Sequence, residues 1–256
     1  MNWVIDLDGV IWLADEPIPG APAAIERLHA RGDALLFVTN NSYLPVAAVE
    51  DKLAAHGIDA RGAVLSSAHA AASLVQPGER VLVCGGPGAW EAVVERGAVP
   101  VANDRDEPEI GAVDVVLVGF HRDFDYERMR RATAAVRAGA RLVATNDDAT
   151  YPTPHGPIPG AGSILAGIER ASGADAVVAG KPYPAMVRAV RARLGAAGIV
   201  VGDRPDTDGH LARALEYRFA LVLTGVTSAE AAPLADPAPD VVASDLAALV
   251  EDQLNP

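Results

Sequence analysis

Short apolar runs alternate with amphipathic stretches along this 256-residue chain. That alternation predicts a parallel sheet joined by crossover helices. Residues 3–6, 34–38, 81–84, 113–119, 141–145, 177–179, 199–201 and 219–223 read as strands. Residues 23–30, 45–56, 125–138 and 184–194 read as helices, and another comes after the Gly-Gly-Pro-Gly turn beyond Cys84. The helix at 45–56 has proline at its start and Gly57 at its end, which is the ordinary punctuation of a helix. The expected fold class is α/β: a doubly wound, Rossmann-like parallel sheet core with a second α/β unit inserted in it. Gln76-Pro77-Gly78 and Gly180-Lys181-Pro182 are the candidate hinges. They divide the chain into a core of residues 1–78 and 180–256 and an insert of 79–179. No repeat of fixed period is present.

Composition narrows the class of partner. Lys and Arg total 21 against 34 Asp and Glu, a formal charge of −13. Such a chain repels nucleic acid unless a basic patch overrides the mean, and none stands out in the sequence. No apolar run approaches the ~20 residues of a membrane span; the run from Val113 to Phe120 contains Asp114. The opening segment MNWVIDLDGVIW has no basic stretch and holds two aspartates, unlike a signal peptide. A single cysteine, Cys84, allows no internal disulfide and no cysteine-built zinc site. A soluble cytoplasmic protein is expected, with no nucleic acid and no membrane among its partners.

Ligands of open parallel sheets bind at the carboxyl ends of strands. After the first strand comes Asp6-Leu7-Asp8-Gly9, and after the second Thr39-Asn40-Asn41. Lys181 precedes the helix at 184, and Gly202-Asp203-Arg204-Pro205-Asp206-Thr207-Asp208 succeeds the strand at 199. Taken singly, each has a bland explanation: a turn, a helix cap, a surface lysine, an acidic loop. Together they offer carboxylates, hydroxyl and amide donors and one cation at one sheet edge. Several carboxylates crowded together stay ionised only if a cation compensates them. Oxygen ligands in that number favour magnesium. A phosphoryl group in transfer needs its oxygens neutralised, which a metal, a lysine and hydrogen-bond donors do. One aspartate can then attack phosphorus, while another two residues on exchanges protons with leaving group and water.

The order DLDGV, TNN, GKP and GDRPDTD resembles the haloacid dehalogenase-like phosphatases. Within them it is similar to the 4-nitrophenylphosphatase-like subclass (type IIA), whose lid is inserted between the second and third motifs. The stretches VGFHRDFDY at 118–126 and ATNDDATYPTPHGPIPGAG at 144–162 extend the likeness into the lid. The resemblance implies a Mg2+-dependent phosphomonoester hydrolase acting on a small phosphorylated metabolite through an aspartyl-phosphate. It implies Asp6 as nucleophile and metal ligand. Asp8 would be general acid/base and bind metal through its carbonyl. Thr39, the Asn40 amide and Lys181 would hold phosphate, and Asp203 would be the main further metal carboxylate with Asp208 in support. The partner would be a small phosphate ester; a homodimer through the cap is among the assemblies left open.

A non-hydrolysing phosphometabolite-binding protein on the same fold is the alternative reading. It is disfavoured because each reacting position holds a chemically competent residue. A dehalogenase would not need Asp8, and a P-loop nucleotidase is excluded because no G-x-x-x-x-G-K-[ST] occurs. Pro205 and Gly209-His210 depart from the subclass, and Gly209 is expected to loosen the start of the next helix. His121, His155 and His210 read as loop or cap residues, and Cys84 as a buried strand residue. Substrate choice is expected in the insert, with Asn146, Asp148 and His155 as candidate readers.

Overall fold

The computed structural model describes residues 1–13, 16–104, 111–151 and 156–254. The chain forms two compact units, one of Met1–Thr39, Ala47–Leu65 and Lys181–Pro256, the other of Asn40–Val46 and Ser66–Gly180.

The first unit is built on a six-stranded sheet. Its order is Val241–Ala243, Arg218–Val222, Ile199–Gly202, Asn2–Ile5, Ala34–Thr39 and Val64–Ser66. Its pairs from Val241–Ala243 across to Ala34–Thr39 are parallel, with Ile5 between Val201 and Phe37. Strands covered on both faces need near-continuous apolar sequence; Trp3, Val4 and Ile5 are accordingly buried. Strand order reverses beside Asn2–Ile5, since the chain runs to one side first and returns to the other after residue 180. The crevice of this sheet therefore opens between the ends of Asn2–Ile5 and Ile199–Gly202. Helices Ala21–Ala30, Pro184–Leu194 and Leu246–Leu254 bury Ile25 and Leu28, Met186 and Val190, and Leu249 and Val250 respectively.

The second unit has its own parallel sheet of five strands. The order is Val177–Val178, Arg141–Ala144, Val115–Val118, Arg80–Cys84 and Val99–Ala102. Helices Tyr126–Arg137 and Ala161–Ser172 cover it through Ala132, Val136, Leu165 and Ile168, which pack with Leu82, Val116 and Val118.

The expected insert of 79–179 lies within the second unit, which also takes in Asn40–Val46, residues 66–78 and Gly180. The helix Ser67–Ala72 accounts for residues 66–78: its small buried alanines and the 2.8 Å hydrogen bond between His69 Nε2 and Glu95 Oε2 tie it to the helix Pro87–Glu95. The last motif also departs from expectation. Residues Pro205–Gly209 form one wide π-type helical turn that runs directly into the helix His210–Leu215. Gly209 does not loosen that start; an added Cβ would meet Pro237 at 2.9 Å and Phe219 at 3.0 Å, so the position is close-packed. Among the described residues, no helix is long and apolar enough to cross a membrane.

Candidate active site

Asp6 succeeds the central strand, its N–H still donating to the Val201 carbonyl at 2.9 Å. Its carboxylate is buried, and its Oδ1 accepts the Leu7 N–H at 2.8 Å. The chain then turns sharply: the Leu7 carbonyl accepts the N–H groups of Val10, Ile11 and Trp12 at 3.2, 2.9 and 3.2 Å. Asp8 sits half-buried in that turn, and the Trp12 indole N–H donates to its Oδ1 at 3.0 Å. The Lys52 ammonium lies 4.4 Å from the centre of the Trp12 ring.

Lys181 and the turn after Ile199–Gly202 complete the cluster. Lys181 Nζ is 2.7 Å from Asp6 Oδ1 and 2.7 Å from Asp208 Oδ1. Asp208 Oδ2 accepts the Arg204 N–H at 3.2 Å, so both of its oxygens are engaged. Asp203 differs. Its Oδ2 accepts the Val226 N–H at 2.6 Å and its carbonyl the Thr227 hydroxyl at 2.6 Å, while its buried Oδ1 has no hydrogen-bond partner. Asp206 turns outward to pair with Arg204 at 2.7 Å. Carboxylate oxygens of Asp6, Asp203 and Asp208 lie within 4.8 Å of one another.

One ammonium faces three buried carboxylates, and the titration of each reflects it. Burial pushes the Asp6 carboxyl up to about 6 against the opposing pull of Lys181. Burial and then the neighbouring Asp208 raise Asp203 to about 6. Burial also raises Asp208, to about 7, with Lys181 opposing and Asp6 adding to the rise. Burial disfavours the Lys181 ammonium, but Asp208 and Asp6 outweigh it and hold the lysine charged. Asp8 is raised by burial, tempered by the Trp12 hydrogen bond and the Lys52 charge. An unpartnered buried carboxylate oxygen beside an excess of negative charge fits a hard, oxygen-seeking divalent cation.

The other expected residues take varied places. Thr39 is buried at the end of its strand. Asn40, in the second unit, is braced there: its carbonyl accepts Ser67 Oγ and Asn146 Nδ2, each at 2.7 Å, and its Nδ2 donates to Asp148 Oδ2 at 3.1 Å. Asn146 is thus buried and its amide is engaged within the protein. Asp148 is half-buried, and His155 lies outside the described residues. Burial lowers the His121 imidazole, which packs edge-on against Phe124. Cys84 is buried, its sulfur accepting the Asn103 amide at 3.0 Å. Sequence reasoning missed Trp12, Lys52 and the loop Thr224–Thr227. The loop comes directly after the strand Arg218–Val222, so inspecting the residues at the carboxyl end of every core strand finds it. The Trp12 contact carries no comparable signal.

Comparison with known proteins agrees with this geometry. A haloacid dehalogenase-like hydrolase model matches residues 3–99 and a second model of that kind matches 178–249. The D-glycerol 3-phosphate phosphatase of Mycobacterium tuberculosis is 37% identical over 257 residues, covering 97% of this chain and 70% of the relative. A solved glycerol phosphate phosphatase from that organism, in complex with magnesium, superposes with a TM-score of 0.86 at 37% identity, over 97% of this chain and 75% of the other. A p-nitrophenyl phosphatase from Archaeoglobus fulgidus superposes with a TM-score of 0.88 at 31% identity, over 98% of each chain.

Proposed function

The chain belongs to the haloacid dehalogenase-like hydrolases, among the 4-nitrophenylphosphatase-like phosphatases, and we propose that it hydrolyses small phosphomonoesters through a covalent phosphate on Asp6. The observation that carries this reading is the Asp6 carboxylate held beside Lys181, with the unpartnered Asp203 Oδ1 close by.

Mg2+ is the cofactor that fits the cluster. Asp6, the Asp8 carbonyl and Asp203 Oδ1 would hold it, with Asp208 supporting through Lys181 and the Arg204 amide. When bound, it supplies the positive charge that offsets the carboxylates and the phosphate oxygens. The protein's own residues carry the steps. Lys181 keeps Asp6 ionised and attracts the substrate phosphate, while the Thr39 hydroxyl and the Asn40 amide donate to phosphate oxygens. An Asp6 oxygen attacks phosphorus as the bond to the leaving oxygen breaks, and the Asp8 carboxyl gives that oxygen its proton. Asp8, now ionised, takes a proton from water. The resulting hydroxide attacks the same phosphorus, releasing inorganic phosphate and restoring Asp6. The Trp12 N–H fixes one Asp8 oxygen and leaves the other to move the proton. The attacking carboxylate, Lys181 and the carboxylate cluster belong to the first unit, so substrate choice is assigned to the second, with residues 145–162 as reader.

The test is a panel of small phosphomonoesters assayed with and without Mg2+, with acid quenching to trap phosphate on the protein. At least one ester should turn over only with Mg2+, and label should appear on Asp6 and vanish in Asp6→Asn. Binding without turnover would favour the non-hydrolysing alternative.

A further inference from the structure

Asp203 stands in a slot whose walls are two glycines from different loops. A Cβ on Gly9 would lie 2.5 Å from Asp203 Oδ2 and 2.6 Å from its Cγ, and the φ of +80° there already disfavours any other residue. A Cβ on Gly225 would lie 1.9 Å from Oδ2 and 2.5 Å from Cγ. The two walls are tied together, because the Thr224 hydroxyl donates to the Gly9 carbonyl at 2.5 Å. The Val226 N–H closes Oδ2 at 2.6 Å, and the Thr227 hydroxyl pins the Asp203 carbonyl at 2.6 Å. Of the two carboxylate oxygens, one is thus walled in and bonded. The other, Oδ1, is buried and has no hydrogen-bond partner.

We infer that the loop Thr224–Thr227 presents Asp203 as a one-oxygen ligand and thereby makes the site select Mg2+ over Ca2+; this rests on the magnesium-dependent reading above. Mg2+ demands six oxygens in near-octahedral array, whereas Ca2+ takes six to eight and readily engages both oxygens of a carboxylate. For Asp203 to offer both, Oδ2 must leave the Val226 amide and the carboxylate must swing out of the slot. The Val226 hydrogen bond, and the Thr224 tie that holds the loop against Gly9, oppose that movement, while the two glycines give the carboxylate the room to sit there. Thr224, Gly225 and Val226 are positioning residues that act through Asp203.

The test is calorimetric titration of the full chain with MgCl2 and with CaCl2, reading the ratio of the two dissociation constants. Gly225→Ala forces the carboxylate aside and should shrink the Mg2+ preference by about tenfold or more, the size of effect seen when groups behind metal ligands are changed. Thr224→Val keeps the shape, removes only the tie to Gly9, and should shrink the preference a few-fold in the same direction. If Gly225→Ala does not fold, Thr224→Val decides alone. A ratio unchanged within twofold overturns the inference, including the case where both affinities fall in parallel, as a merely structural role predicts. Asp203→Asn separates the two levels. If it abolishes Mg2+ binding while the loop variants leave the ratio unchanged, only the selection device fails. If it leaves Mg2+ binding intact, the metal reading itself fails and the device with it.

Discussion

At the carboxyl end of the six-stranded sheet, Asp6 and Asp203 succeed the two strands flanking the point where strand order reverses. At the same place on the five-stranded sheet, Arg80–Cys84 ends in Cys84 and Val115–Val118 leads into Gly119. Both sheets are parallel, helix-covered and buried at these ends. The groups they bury differ in kind. The second sheet's edge holds neutral pairs: Asn103 donates to Cys84 at 3.0 Å, and Thr145 to Ser42 at 3.1 Å. The first buries three carboxylates around one ammonium, an arrangement that costs several kcal/mol per ion in desolvation before pairing offsets it. The same architecture therefore carries one end built on a carboxylate cluster and another, near the buried Arg131, with no such cluster among the described residues. Chemistry depends on the residues placed at the switch point, not on the fold.

The largest expected effect comes from exchanging the residue at the two equivalent strand ends. Asp6→Asn should lower turnover at least about a thousandfold while the protein stays folded. Cys84→Ala should leave kcat within about twofold and lower stability by about 1–2 kcal/mol. Steady-state rates and melting curves of both variants check this. Comparable rates in the two would erase the distinction between the sheets.

Asp8→Ala comes next, with an expected loss of about a hundredfold to ten-thousandfold, because leaving-group protonation and water activation share that carboxyl. Excess Mg2+ should not restore the rate. Rescue by added metal would reduce Asp8 to a ligand.

Much of the charged edge is legible in the sequence because its residues sit directly after strong apolar strands: Asp6, Thr39 and Asp203 each succeed or end a run that reads as buried strand. The strand order is not legible, since pairing across the sheet is a long-range matter that periodicity does not encode. The pair Val241–Ala243 and Leu246–Leu254 gives little signal because the strand is only three residues long and half exposed. That residues 66–78 belong with the second unit is hidden for a related reason: Ser67–Ala72 is too short and too rich in small residues to show a helical stripe. Asp203's slot depends on two glycines more than two hundred residues apart, which only the folded chain brings together.

A smaller effect tests the charge itself. The carboxyls of Asp6 and Asp203 are raised to about 6 and that of Asp208 to about 7, from the unperturbed 3.8. Without metal, the folded state binds protons more tightly than the unfolded one. The stability these groups contribute is fully present below about pH 4 and is lost as pH rises through 6 to 7. Mg2+ needs them ionised, so its stabilisation grows over that same interval. Near a hundredfold excess over Kd it contributes about 2.7 kcal/mol, or a Tm increment of about 5 °C or more at pH 8, shrinking toward pH 5. Melting curves with MgCl2 and with EDTA from pH 5 to 8 measure it. Cys84 cannot mimic this response, because burial pushes its thiol up to about 12. An increment independent of pH would place the metal away from these carboxylates.

The smallest expected effect asks what the second unit does to the chemistry. Asn146 is buried and donates to the Asn40 carbonyl at 2.7 Å, so its side chain braces the residue after Thr39. Its removal should act on every substrate alike. Asp148 is half-buried; its Oδ2 accepts the Asn40 amide at 3.1 Å, and its N–H donates to Asn146 Oδ1 at 3.2 Å. On the proposal that the second unit chooses the substrate, the half-buried Asp148 is the member of the pair assigned to its variable end. The Asn146 side chain also bonds Thr145 Oγ1, and loss of its bond to the Asn40 carbonyl alone is worth about 1 kcal/mol, or roughly fivefold. Asn146→Ala should therefore lower kcat/KM about fivefold for all esters in a panel, with the Mg2+ dissociation constant unchanged. Asp148→Ala should instead shift the ratios between esters about threefold to fivefold. A uniform loss in both variants would make the loop a brace and nothing more, and specificity would then have to be sought elsewhere in the second unit.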